Sequence, residues 1–178
     1  MKTSKMHAGV SFPALHATGI GGETVDIGKP GPDADWRIVF VYRGAHCPMC
    51  TRYLNKLEEI IEPLAEIGVD VVAVSADSKE QLEGYLEELD VSFPFYSGLT
   101  LEQMDDLGLY ISDPRSEQET DHRFPEPGMF VINANGALQV VDISNSPFSR
   151  PEIDILLSGL QFIKDPGNDY PIRGTYRS

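Results

Sequence analysis

Apolar residues dominate Trp36–Tyr42 (WRIVFVY), the pattern of a strand buried on both faces. From Cys47 to Ile67 the period changes: Leu54, Leu57, Ile60, Ile61 and Leu64 recur at spacings of three and four, which predicts an amphipathic helix with its apolar stripe turned inward. Pro63 is expected to bend or end that helix, and Gly68 to stop it. Val69–Ser75 (VDVVAVS) reads as a second buried strand. Ser78–Leu89 reads as a helix, with Asp77 or Ser78 as its cap and Gln81 three residues past Ser78. Further on, the pattern predicts a strand start at Phe93–Tyr96 and a short helix over Thr100–Leu107. Two strands follow, Met129–Asn133 and Ala137–Asp142, joined through the hairpin signal Asn135-Gly136. A final helix is expected over Pro151–Ile163, with Pro151 in its first turn. Glu23–Ile27 is expected as one short strand among turns, residues 112–127 as a long acidic loop, and residues 164–178 as an extended tail.

This order, β-α-β-α-β, then a loop, then β-β-α, predicts a single α/β domain over residues 1–178. Its parallel first half and antiparallel last pair form one mixed central sheet, flanked by helices on both faces. At 178 residues with 41% apolar content the chain has the length and composition to bury a core. The net charge of −14 argues against nucleic acid or an anionic membrane as the main partner. No apolar run reaches the ~18 residues of a bilayer-spanning helix. The start, Met1-Lys2-Thr3-Ser4-Lys5, is mildly basic, but His7, Ser11, Pro13 and His16 interrupt any apolar stretch behind it. A cytoplasmic protein is therefore expected, with a lipid-anchored or exported form as the alternative.

Both cysteines of the chain lie in Cys47-Pro48-Met49-Cys50, just after the first buried strand and in the first turn of the helix behind it. A thiol there faces unpaired backbone N–H groups and the positive end of the helix dipole, and both favour thiolate over thiol. Thiolate is the reactive species, so Cys47 is the expected attacking sulfur. Pro48 suits the first helical position, having no N–H to leave unpaired. Cys50 lies on the same side of the helix, within reach for a disulfide, and is expected to be the more buried, resolving thiol. Arg43, His46 and Arg52 surround the pair and would depress the Cys47 pKa further if they carry positive charge. The bland readings are surface charges for the arginines, a helix-capping loop residue for His46, and a reduced core pair or half a zinc site for the cysteines. Zinc needs four ligands, and the four histidines are not suitably spaced to supply the rest.

The stretches WRIVFVYRGAHCPMC, VDVVAVSAD and PGMFVINANGALQVVDIS resemble the thioredoxin fold. More closely, residues 9–165 resemble the AhpC/TSA redoxins with a YRG-x-x-C-P-x-C signature. Tyr42, Arg43, Gly44, Cys47, Pro48 and Cys50 match that signature. The resemblance implies a cis-proline at Pro127 facing the cysteines, with the backbone of Glu126 free to pair with a substrate strand. It also implies that Arg150 is the arginine that peroxiredoxins hold near the reactive thiolate, just before the last helix. The chain departs from the peroxiredoxin pattern where Thr and Pro stand three and seven residues before the reactive cysteine, since Gly44 and Phe40 occupy those positions. The peroxide-activating arginine falls at Pro127, with Arg123 close by as a substitute. The buried carboxylate usual beneath thioredoxin cysteines is missing from Val39-Phe40-Val41.

The expected function is that of a thiol oxidoreductase, reducing peroxides or disulfides through a Cys47–Cys50 disulfide. No cofactor or metal is required. A dithiol donor such as thioredoxin, or glutathione, would recycle it, and a homodimer is possible. The alternative is a non-catalytic redox sensor or a module binding a soft metal such as Cu(I), with Met49 and His46 near the pair. The acidic loop over residues 112–127 reads as a solvated excursion rather than a partner-steering surface.

Overall fold

The computed structural model describes residues 4–176, so the first three residues of the basic start and the last two of the expected tail lie outside it. The strands are β1 (His16–Thr18), β2 (Thr24–Asp26), β3 (Trp36–Val41), β4 (Val69–Val74), β5 (Phe95–Tyr96), β6 (Ile111–Ser112), β7 (Phe124–Pro125), β8 (Gly128–Ile132) and β9 (Leu138–Ile143). The helices are α1 (Pro48–Glu66), α2 (Lys79–Leu86), α3 (Leu101–Asp106) and α4 (Ile153–Lys164). Five strands form the central sheet in the order β5-β4-β3-β8-β9. β3 runs parallel to β4 and antiparallel to β8, and β9 closes the antiparallel edge, as the run of elements predicts.

β3 lies in the middle of the sheet, and its side chains alternate between two cores. Ile38, Phe40 and Tyr42 pack with α1, α2 and α4, where Leu54, Leu57, Ile60, Leu64, Leu82, Leu156 and Leu160 are buried. Val39 and Val41 face the other side, with α3 and the β1–β2 ribbon. The double burial read from the sequence is therefore real, and it fixes the end of β3, and the Cys47 loop behind it, between two packed layers. Arg37 is the polar member of the run, and it forms a paired ion with Asp70 on β4.

Local signals placed several ends. Ser78 is the cap of α2, with a reciprocal capping box to Gln81, and Thr100 caps α3 in the same way. Other expectations are corrected. Pro63 lies inside α1, which continues to Glu66. The hydrogen bond it forgoes is to Glu59 on the exposed face, while Ile60 and Leu64 hold the buried face. α4 starts at Ile153 with Glu152 as its cap, so Pro151 stands before the helix. Lys164, the first residue of the expected tail, closes α4, and Pro166–Asn168 form a 3-10 turn behind it. The acidic stretch carries β6 and β7, which pair with each other.

Candidate active site

Cys47 is the cap residue of α1, and Pro48 is its first helical residue. Cys50 heads the apolar stripe that continues through Leu54, Leu57, Ile60 and Leu64, so the helix turns it into the core. Both cysteines are reduced and enclosed, Cys47 being 2% exposed and Cys50 fully buried. The carbonyl of Cys47 accepts the N–H groups of Cys50 (3.1 Å) and Thr51 (3.2 Å), which fixes the turn holding the two sulfurs on one side of the helix.

Two arginines reach the pair, one to each sulfur. Arg43, just past β3, donates from Nη1 to Cys47 Sγ at 3.6 Å. Its Nε stands 3.0 Å from Oε1 of Glu126 and donates to Oε2 at 3.2 Å, while the hydroxyl of Ser112 donates to the same Oε2 at 2.7 Å. Arg150 donates from Nη2 to Cys50 Sγ at 2.8 Å. This corrects the expectation that Arg150 stands at the Cys47 thiolate: it stands one helical turn further in.

The electrostatics follow from these contacts. The hydrogen bond from Cys50 holds the Cys47 thiol down at about 5, burial opposes this, and Arg43 and the Cys50 backbone N–H add to the lowering. Burial pushes Cys50 far up, its bond to Cys47 adds to the rise, and Arg150 pulls against it. Cys47 is thus the sulfur that carries charge at neutral pH. Burial acts against the Arg43 cation, but its contacts to Cys47 and Glu126 more than restore it.

His46 is not a third cation. Burial, and then the nearby Arg43, lower it to about 4, and its ring rests edge-on against Phe124 at 4.5 Å. It is not the cap of α1 either. Arg52 is exposed and touches neither sulfur. Arg123 pairs with Asp113 at the surface, so it does not substitute for a peroxide-activating arginine. Every peptide bond among the described residues is trans, so Pro127 is not the cis-proline expected. It lines a small cavity with Arg150, Tyr53 and Leu54. The N–H of Glu126 is not free for a substrate strand, because it donates to the carbonyl of Tyr110 at 2.8 Å.

Sequence reasoning missed the side chains that hold this arrangement. Glu126, expected to offer its backbone and to belong to a solvated acidic loop, is buried, and its carboxylate anchors Arg43. Asp77, weighed only as a helix cap, is buried and accepts the N–H of Ala45 at 2.8 Å, with His122 Nε2 at 3.2 Å from its other oxygen. A Cβ on Gly44, whose φ is +142°, would meet that oxygen at 2.7 Å, so the YRG turn needs glycine to close on Asp77.

A dithiol at a helix start, beyond the central strand of a mixed α/β sheet, with an arginine on each sulfur, defines a thiol-based oxidoreductase. The AhpC/TSA family model matches residues 8–141, and the chain belongs to that family. Alkyl hydroperoxide reductase C of Bacillus subtilis (strain 168) is 23% identical over 155 residues, spanning 85% of this chain and 81% of that protein. A putative peroxiredoxin of Mycobacterium tuberculosis (strain H37Rv) is 26% identical over 113 residues, 61% of this chain and 68% of the relative. Among solved structures, a peroxiredoxin-like protein from Aquifex aeolicus superposes with a TM-score of 0.72 at 16% identity, over 89% of this chain and 88% of that one. Mycobacterium tuberculosis AhpC does so with a TM-score of 0.71 at 16% identity, over 98% and 100%. The fold is the thioredoxin fold of the peroxiredoxins, and the chain is an oxidoreductase of the redoxin type. The non-catalytic alternative is not favoured. No helix among the described residues is long and apolar enough to cross a membrane.

Proposed function

We propose that the protein reduces peroxides, with Cys47 as the attacking sulfur and Cys50 as the resolving one. The carrying observation is the thiolate-favouring seat of Cys47: a helix cap, a donor from Cys50, and Arg43 at 3.6 Å. The Cys47 thiolate attacks one peroxide oxygen. The O–O bond breaks, the alkoxide takes a proton and leaves as alcohol, and Cys47 becomes a sulfenic acid. Cys50 then attacks that sulfur, an S–S bond forms, and the hydroxyl leaves as water with the Cys50 proton. Two thiols of a donor such as thioredoxin or glutathione return both cysteines to the reduced form and are themselves joined as a disulfide.

Two observations favour a peroxide over a protein disulfide as the oxidant. Cys47 is only 2% exposed, which suits a small substrate. The N–H of Glu126, where a substrate strand would dock, is already paired to the carbonyl of Tyr110. A dithiol that must be kept reduced between turnovers suits the cytoplasm. We place the chain there, and a homodimer fits the reading equally.

The test is single-turnover peroxide consumption by wild type, Cys47→Ser and Cys50→Ser. Wild type and Cys50→Ser are expected to consume peroxide rapidly, and Cys47→Ser to fall to background. A sluggish wild type that readily reduces a disulfide dye would favour disulfide exchange instead.

A further inference from the structure

We infer that Arg150 is a catalytic residue for Cys50, stabilising that sulfur as an anion when it attacks and when it leaves, and takes no part in the attack of Cys47 on peroxide. This rests on the peroxidase reading above, and it divides the two half-reactions between two arginines.

Arg150 is held on Cys50 by several groups. Its Nη2 donates to Cys50 Sγ at 2.8 Å, and its Nε donates to the carbonyl of Pro147 at 3.0 Å. Its guanidinium lies over the ring of Tyr53, 5.0 Å from the centroid. Tyr53 follows Cys50 by three residues on α1, and its hydroxyl donates to the carbonyl of Pro151 at 2.7 Å, tying the loop that carries Arg150 to the helix that carries the sulfur. Arg43 spends its Nε on Glu126, whereas Arg150 has no carboxylate partner among the described residues, so its charge is directed at the sulfur.

In the reduced protein Cys50 donates to the Cys47 thiolate, and a second anion beside the first is disfavoured. Attack on peroxide removes that obstacle: Cys47 becomes a neutral sulfenic acid. Cys50 must then give up its proton inside the core, and Arg150 is the cation in contact with it. The sulfur displaces hydroxide from Cys47, and its proton leaves with the hydroxide as water. When a donor thiolate later attacks Cys47 in the disulfide, Cys50 departs as the thiolate, again against Arg150. The groups facing Cys50 are Cys47 on α1, the Arg43 backbone N–H and Tyr42 at the end of β3, Tyr85 on α2, and Arg150. Burial holds both tyrosines well above their usual range, so neither adds a charge beside Cys50 at neutral pH.

The experiment follows one turnover of the full chain with stoichiometric hydrogen peroxide, in wild type, Arg150→Met and Arg150→Lys. Peroxide loss reports the first step. Dimedone labelling with mass spectrometry reports which sulfur is a sulfenic acid and how fast it becomes a disulfide, across pH. In Arg150→Met, peroxide loss is expected within about twofold of wild type. Conversion to disulfide is expected to slow by about tenfold or more at neutral pH, its pH midpoint moving up, since each unit of thiol pKa above the working pH removes about nine-tenths of the thiolate. Arg150→Lys keeps the charge without the planar fork. It is expected to fall between the two, and it carries the test if Arg150→Met does not fold. Dimedone on Cys50, or variants that slow peroxide loss while leaving conversion unchanged, would overturn the inference. A wild type in which peroxide oxidises neither sulfur would overturn the peroxidase reading itself.

Discussion

β3 carries a buried arginine near its start, and Arg43 follows just past its other end. At the first end, Arg37 grips Asp70 through Nε and Nη2 with two bonds of 2.8 Å and donates from Nη1 to the carbonyl of Ile27 at 3.2 Å. Each of its three nitrogens is tied to a group that takes no part in thiol chemistry. At the second end, Arg43 holds Glu126 through Nε and leaves Nη1 for a sulfur. The same guanidinium–carboxylate pairing locks one end of the strand and aims a charge at the other. A buried arginine that meets its carboxylate through two nitrogens is a clasp; one that spares a nitrogen for a thiol is a tool.

The largest expected effect is on stability, and it falls on both ends alike. Arg37→Met and Arg43→Met each remove the cation facing a carboxylate, leaving Asp70 the Gly31 N–H and Glu126 the Ser112 hydroxyl, and each is expected to cost about 3 kcal/mol in denaturant titration. The next effect separates them. Arg43→Met is expected to raise the Cys47 midpoint by about one pKa unit and so to slow peroxide consumption by about fivefold at pH 5, falling to about twofold at pH 6. Arg37→Met should leave the rate per folded molecule unchanged. Equal slowing by both would mean that Arg43 acts only through the fold. Stability also depends on pH through Cys47. The folded-state pKa of Cys47 lies below its unfolded value of about 8.5. Its contribution is therefore complete above pH 8.5 and lost as pH falls towards about 5. Melting curves of the reduced protein should show this loss relative to Cys47→Ser, and matching curves would refute it.

Much of this frame was legible in the sequence. The Trp36–Tyr42 run, the Leu54–Leu64 stripe, the Ser78/Gln81 pair and the Asn135-Gly136 turn each express a local rule, and the structure obeys them. The Cys47-Pro48 step placed the dithiol at the helix start because cap chemistry is also local. The contacts that give each sulfur its character are not local. Glu126 lies 83 residues from Arg43, and Arg150 lies 100 residues from Cys50. No spacing rule reports which of two sulfurs, one turn apart, an arginine from the far end of the chain will meet. His46 shows the same gap. The sequence places a histidine beside the cysteine, but its packing against Phe124 makes it neutral, and that packing depends on the fold. β1 also escaped notice, since three residues paired to β2, with a single further bridge from Thr18 to Ser97, leave too short a pattern to read.

Ultraviolet thiolate absorbance of the reduced protein, followed from acid to alkaline pH beside Cys47→Ser, bears most directly on the site. One sulfur should ionise near pH 5 in the wild type, and that step should vanish in Cys47→Ser. Ionisation only above about pH 8, as in an unperturbed cysteine, or an acid step that survives removal of Cys47, would show that the charge rests elsewhere and that the first sulfur is not activated.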